Sequence, residues 1–381
     1  MKPSLVLSAN APPLVGGQGL NLFHMMEALR SGFDLRVFCD APSGGDIRSV
    51  RASRLARTMG RLPVIRRFRD WQIFLDDSHF DRQVAAALPA SAVFQGVTGQ
   101  CWQSLARARE LGARTVLDVV TTHADDFLAH QRRECARFDV PPAFHPRMHR
   151  RILDEYRRAD LIRVMSRYAL QTFLDRGFSP RHVIKAAPPI DVAQFPEANF
   201  SQPCFRIIFV GLLEPWKGFH YLVEAFEALN LAGAELVLWG GPGARGISRY
   251  LREKMSRNRR IVIQPTSVRA VGYAQVYGAA SVLVQPSLAD GFGYAVGEAM
   301  ASGLPVIVTR ATGAEEMVTD GENGYVVPPG DRDAIADRLR HLAARPALVR
   351  EMGRKARAAA RRQTRDQFRR ALVTPIREMI A

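Results

Sequence analysis

Two carboxylates, Asp290 and Glu298, stand eight residues apart across the run DGFGYAVGE. Were the interval helical, a rise of about 1.5 Å per residue would set them about 12 Å apart, too far for a shared proton or a single metal. They read instead as two grips on an elongated ligand. Between them Gly291 and Gly293 take side chains out of the backbone's path, and the amides of Phe292, Gly293 and Tyr294 fall where a helical spacing begins. Unpaired N–H groups and the positive dipole end at such a helix start favour phosphate or sugar oxygens. The span suits a nucleotide sugar.

The elements that must position these groups follow from local pattern. Residues 282–284 read as a buried parallel strand, 294–302 have helical spacing with Gly303 as the stop, and 305–308 form the next strand. The chain opens in the same way, with a strand at 5–7, the loop APPLVGGQG and a helix at 20–31. Gly16 and Gly17 would let backbone amides face a phosphate there, although this is not GxGxxG and a glycine turn alone is more often only a turn. A strand at 206–210 leads into GLLEPWKGF, which carries Lys217, and a lysine in a loop is usually just solvated. A strand at 115–120 ends in Thr121-Thr122-His123, at the carboxyl end where open α/β sheets bind ligands. For His123 a positioned acid or base and a structural histidine are both open readings. Strands at 235–239 and 261–264 end in loops where, by the same rule, a nucleotide base would rest. Further strands at 35–39, 92–95 and 161–165 and helices at 101–111, 150–159, 168–177, 333–344 and 347–377 complete the alternation. Prolines 188, 189, 196 and 203 make 186–203 the best linker.

Together these motifs resemble the retaining glycosyltransferases of family 4, whose signature sets two Glu eight positions apart around GFG and EAM-x-x-G-x-P-V. Here the run is ADGFGYAVGEAMASGLPVI, followed by TGAEE at 312–316 and DGENGYVVPPGD at 320–331. The resemblance is strong over 205–331 and looser before 186. It implies an α/β, GT-B fold of two doubly wound Rossmann-like parallel-sheet domains facing a cleft. Residues 1–190 would be the acceptor-side domain and 200–360 the nucleotide-sugar domain, with 361–381 a helix of the kind that commonly crosses back to the first domain. By resemblance Asp290 would hold hydroxyls of the donor sugar, Glu298 the ribose hydroxyls, and His123 would face the reacting sugar. Lys217, the Gly16-Gly17 loop and the amides from Gly291 to Tyr294 would meet the diphosphate. Two positions depart from the family pattern: Asp290 replaces its first Glu, and Leu212 stands where it often has Arg, leaving more of the phosphate to Lys217. The implied reaction moves a sugar from a nucleotide-diphosphate sugar to a glycan or lipid-linked acceptor hydroxyl, with retention and without a metal cofactor, in polysaccharide or glycolipid synthesis. The alternatives are a nucleotide-sugar epimerase or hydrolase on the same scaffold, or a noncatalytic binding or membrane-scaffold protein.

Composition bounds these readings. A chain of 381 residues, 47% of them hydrophobic, supports two domain cores. The net charge of +16 invites a nucleic-acid or anionic-membrane partner. Yet Arg replaces Lys almost throughout, no zinc-finger, KH or RRM signature is present, and the basic residues are not interleaved with aromatics, which argues against nucleic acid. Between 47 and 69 eight arginines, beginning Arg48, Arg51, Arg54 and Arg57, occur without one acidic residue. Such a run, with its interspersed apolar residues, can lie near the acceptor mouth on an anionic membrane surface or be a solvated helix face. Four scattered cysteines give no zinc or disulfide pattern, which fits a reducing, cytoplasmic setting. His145 and His149 lack a third ligand for a metal. The apolar run near the N-terminus is too short for a secretory leader, and no stretch is long enough to span a bilayer.

Overall fold

The computed structural model describes residues 2–50, 69–142, 145–200, 204–242 and 244–381. The first sheet contains β1 (Ser4–Ala9), β2 (Asp34–Cys39), β3 (Ile47–Ser49), β4 (Val93–Val97), β5 (Arg114–Val119), β6 (Leu161–Val164) and β7 (Val183–Lys185), in the order 3-2-1-4-5-6-7. The second contains β8 (Phe205–Val210), β9 (Ala234–Trp239), β10 (Ile261–Gln264), β11 (Val282–Gln285), β12 (Val306–Thr309) and β13 (Gly324–Val327), in the order 10-9-8-11-12-13. Every pairing between these strands is parallel. Both sheets are doubly wound, and each reverses direction beside its first strand, at β1/β4 and at β8/β11. Ligand crevices of open parallel sheets form at the carboxyl ends of such strands.

Parallel strands covered on both faces need apolar side chains on both. In β1, Leu5 and Leu7 join a core with Leu22, Met25 and Leu29 of the helix Gly16–Arg30, while Val6 faces the opposite core with Phe80, Val84, Leu105 and Ile152. In β8, Ile207 and Phe209 share one core with Leu236 and Val284, and Ile208 shares the other with Leu283 and Val306. Each sheet therefore has its own pair of apolar layers.

Two elements differ from the sequence pattern. The single helical run expected at 347–377 is two helices, Pro346–Ala360 and Arg365–Ile380, separated where Thr364 and Gln367 form a capping box. The first lays Ala356, Ala359 and Ala360 against Val296 and Met300 of the second domain. The second delivers Phe368, Leu372, Val373 and Ile376 to the first-domain core beside Met25 and Leu29. The second difference is at Arg48, which belongs to the edge strand β3, paired with β2, and not to a helix face. Its guanidinium lies 5.6 Å from the Phe38 ring centroid. Residues 51–68, which hold most of the arginine run, are outside the described residues.

The domains also meet away from the cleft. Phe138, past the helix Ala124–Ala136, is buried in the second-domain core with its ring 5.9 Å from that of Phe219. On the same helix, Glu134 accepts a 3.2 Å hydrogen bond from the Tyr221 hydroxyl and pairs with His220. Contact with His220 and Arg133 holds the Glu134 carboxyl down to about 2 despite its burial.

Candidate functional site

The helix Tyr294–Ala301 follows directly from the turn after β11, and its N-cap, Gly293, has φ +89° and no side-chain cap. Its leading amides are thus left without a side-chain partner. The turn is pinned by backbone bonds: the Asp290 amide donates to Ala311 O at 2.9 Å, and the Gly313 amide donates to Asp290 O at 3.0 Å. A Cβ on Gly291 would lie 2.3 Å from Val120 O, so only glycine lets this turn abut the end of β5 from the opposite domain. Phe292 is 1% exposed and serves the core. Its backbone alone is part of the site.

Asp290 is buried in this turn and forms an ion pair with Lys217, while Ser287 Oγ donates to its Oδ2 at 3.3 Å. Lys217 ends a single 3-10 turn, Pro215–Lys217, and its ammonium sits 4.3 Å from the Trp216 ring centroid. Gly218 then takes φ +71°, and a Cβ there would fall 1.9 Å from Pro286 O. The Lys-Gly pair therefore combines a cation with a backbone approach that positions it. Leu212, expected to replace a family arginine, is 56% exposed.

Glu298 lies further along the same helix, where the Tyr277 hydroxyl donates to Oε2 at 2.6 Å. Burial pushes its carboxyl above the usual range, opposed by that hydrogen bond and by Arg269. Arg269 crosses the cleft: its Nη1 donates to Leu14 O at 2.7 Å, in the loop before Gly16. Gly16 opens its helix with φ +64°, preceded by Val15, which makes no side-chain cap. The Cβ position of Gly17 is 3.7 Å from Tyr294 Cδ2. Two helix starts without side-chain caps, one from each domain, thus face one another, with Lys217, Asp290 and Glu298 on the second-domain side.

His123 does not join them. It is 2% exposed, caps the helix Ala124–Ala136 by accepting from the Asp125 amide at 3.3 Å, and packs 5.0 Å from both Tyr156 and Phe173. Burial, aided by Arg176, lowers its pKa to about 4. The expectation that it faces a sugar is corrected on this geometry: cap and aromatic cage hold the imidazole inside the first domain. The strand-end residues that do approach Gly291 are Val120 and Thr121. This is the strand end that the sequence pattern points to, whereas Arg269 and Tyr277 sit in no distinctive motif and sequence reading missed them. His145 and His149 also serve separate partners, the first accepting from the Arg147 amide and the second meeting Asp125 at 2.6 Å. Among the described residues no group of three or more His, Cys, Asp or Glu is placed to hold a metal, and no helix is long and apolar enough to cross a membrane.

Comparison with known proteins agrees with this architecture. Residues 204–345 match the family described as Glycosyl transferases group 1. A D-inositol 3-phosphate glycosyltransferase of Corynebacterium urealyticum is 32% identical over 144 residues, covering 35% of this chain and 34% of that protein. The match thus spans about a third of that curated relative. Sucrose-phosphate synthase from Thermosynechococcus elongatus superposes with a TM-score of 0.75 at 20% identity, covering 99% of each chain. Anabaena Alr3699/HepE, solved in complex with UDP and glucose, gives a TM-score of 0.71 at 16% identity over 95% of each chain. The chain has the GT-B glycosyltransferase fold, two parallel-sheet Rossmann-like domains.

Proposed function

We propose that this chain transfers a sugar from a nucleotide-diphosphate sugar to an acceptor hydroxyl with retention of configuration, the donor held mainly by the second domain and the acceptor by the first. The observation that carries the reading is the meeting of the Gly16-Gly17 and Gly293-Tyr294 helix starts beside the Lys217–Asp290 pair. Helix starts of this kind favour phosphate oxygens, and the group 1 glycosyl transferase match covers the second of them.

In this reading Glu298, oriented by Tyr277, accepts from the ribose hydroxyls. Lys217 moves its ammonium from Asp290 toward the diphosphate, which frees the Asp290 carboxylate to accept from the sugar hydroxyls. As the bond to the diphosphate breaks, charge growing on its oxygens is met by Lys217 and by amides already aimed at it. Such preorganised electrostatic stabilisation requires little rearrangement during the reaction. The reading assigns that charge to protein groups without a divalent cation, and places the chain at the cytoplasmic membrane face in polysaccharide or glycolipid synthesis. The arginine run at 47–69 would there meet anionic lipid.

Incubation with UDP-, GDP- and ADP-sugars, with and without a panel of glycosides and in the presence of EDTA, tests the reaction. Acceptor-dependent glycoside carrying the donor's anomeric configuration is the expected product. Free sugar formed equally with and without acceptor would make the chain a hydrolase, and isomerised donor would make it an epimerase.

A further inference from the structure

Arg269 stands on the short helix Val268–Val271, past the carboxyl end of β10, and its Nη1 donates at 2.7 Å to Leu14 O of the opposite domain. The carbonyl it meets is fixed in place. Leu14 takes φ +67°, a left-handed conformation that a leucine keeps only where its surroundings hold it, and its amide donates to Gly19 O at 2.9 Å. Gly16, two residues on, opens the first-domain helix. The guanidinium is thereby held beside a helix start that has no side-chain cap, and among the described residues it forms no ion pair with a carboxylate.

Its neighbours place it along the donor. Burial raises the Glu298 carboxyl, while the Tyr277 hydrogen bond and the Arg269 charge draw it back, so the guanidinium acts on the carboxylate assigned to the ribose. Lys217 instead pairs with Asp290, the carboxylate assigned to the sugar. The two cations thus belong to opposite ends of the bound span. Leu212, exposed past the carboxyl end of β8, brings no charge of its own. A diphosphate is charged on both phosphates, and the one next to the ribose would meet the Glu298 carboxylate. A lone ammonium at the sugar end would leave most of that repulsion unanswered, because the attraction of two charges falls with their distance.

The side chain suits this place. A guanidinium is planar and carries five N–H donors, of which the Leu14 bond uses one, so a fork remains for phosphate oxygens while the bond across the cleft stays intact. We infer that Arg269 binds the ribose-proximal phosphate of the donor, bridging it to Leu14 O, and that Lys217 binds only the sugar-proximal phosphate. Each phosphate then has its own cation, and the one on the nucleoside side also ties the first domain to the donor. The assignment rests on the transferase reading and adds a donor-binding residue and the division of the two phosphates between two elements.

Calorimetric titration of UDP, GDP and ADP into the full chain tests it, alone and in competition with UMP, GMP and AMP and with uridine, guanosine and adenosine. The proteins are the wild type, Arg269→Ala, Arg269→Gln and Lys217→Ala. For the base that binds, both Arg269 substitutions should weaken monophosphate and diphosphate alike by at least about tenfold, the size of one lost charge-assisted hydrogen bond, and leave the nucleoside within about threefold. Lys217→Ala should weaken the diphosphate by a similar factor and leave the monophosphate within about threefold. Arg269 is exposed, so its replacement leaves core packing in place, and Gln can still donate to Leu14 O. A role confined to bridging the domains would therefore survive in Arg269→Gln. Monophosphate affinity unchanged in Arg269→Gln, equal losses for nucleoside and diphosphate, a monophosphate weakened tenfold by Lys217→Ala, or one that fails to compete in the wild type would overturn the inference. A wild type that binds none of the three diphosphates would instead overturn the transferase reading.

Discussion

Lys217 and Asp290 occupy each other in this structure, so a donor that engages both must exchange their mutual contact for two new ones. That coupling separates Asp290 from Glu298. Glu298→Gln should weaken the free nucleoside diphosphate and the full donor alike, because the proposed function gives it the ribose common to both. Asp290→Asn should spare the free nucleotide, or tighten it by releasing Lys217, while slowing transfer or changing which sugar is accepted. Calorimetry with nucleotide alone, set beside turnover with full donors, checks this; equal losses for nucleotide and donor in Asp290→Asn would contradict the division. The spacing of these carboxylates is legible in the sequence because a glycine-rich turn and a helix recur around them as one motif. Tyr277 and Arg269 are not legible, since they reach the site from near one-turn helices, Val268–Val271 and Tyr273–Val276, that carry no periodic signal. His123 was expected at the cleft because it follows a strand end, and its cap and aromatic packing decide otherwise. With its folded pKa near 4, below the ordinary histidine value, His123 stabilises the fold as a neutral ring above about pH 6.5 and loses that contribution as pH falls toward 4. Its replacement by Asn, which can also cap, should therefore cost progressively less stability over that range, with a change of up to about 3 kcal/mol. Denaturant unfolding of both proteins from pH 7 to pH 4 measures it, and a difference independent of pH would contradict the burial argument.

At the scale of elements, three glycines set how closely the pieces of the site approach. Gly218 and Gly291 each bring backbone within a distance that a Cβ cannot share, against Pro286 O and Val120 O. Gly218→Ala adds left-handed strain to that clash and should destabilise the second domain by about 1 to 3 kcal/mol, shifting the thermal midpoint downward. Gly291→Ala acts across the domains, so its expected effect is weaker donor binding with a smaller loss of second-domain stability. Unaltered nucleotide affinity in Gly291→Ala, measured by calorimetry, would show that this approach does not hold the site together. The third, Gly17, has room toward Tyr294, and there the open backbone is what matters. The strands that carry these turns are readable as short apolar runs, since sheets covered on both faces need them. The edge strand β3 is not, because three residues containing Arg48 offer no pattern of their own, and pairing with β2 supplies what the residues do not. The break before Thr364 carries no local signal among helix-forming residues, and only the family resemblance, which sets 361–381 apart, points to it.

Across the whole molecule, the chain crosses between the domains twice: through the segment after β7 and again through its last helix. Phe368, Leu372, Val373 and Ile376 fill a first-domain core whose sheet was completed some 180 residues earlier, by β7. Removing residues 364–381 should expose Leu22, Met25 and Leu29 and destabilise the first domain, seen as a lower first transition in calorimetric unfolding. Two unchanged transitions would show that the helix is only an appendage. The two-sheet plan is legible from the alternation of strands and helices, whereas the docking of Phe138 into the opposite core depends on tertiary contacts that no local run reveals. The central claim is that the facing helix starts and Lys217 bind a nucleoside diphosphate. Calorimetric titration of UDP, GDP and ADP in EDTA into the wild type and Lys217→Ala tests it most directly. One of the three should bind, and the substitution should weaken it by about 1.5 to 3 kcal/mol, the value of a charge-assisted hydrogen bond to phosphate. Binding of none, or the same affinity in both proteins, would contradict the claim.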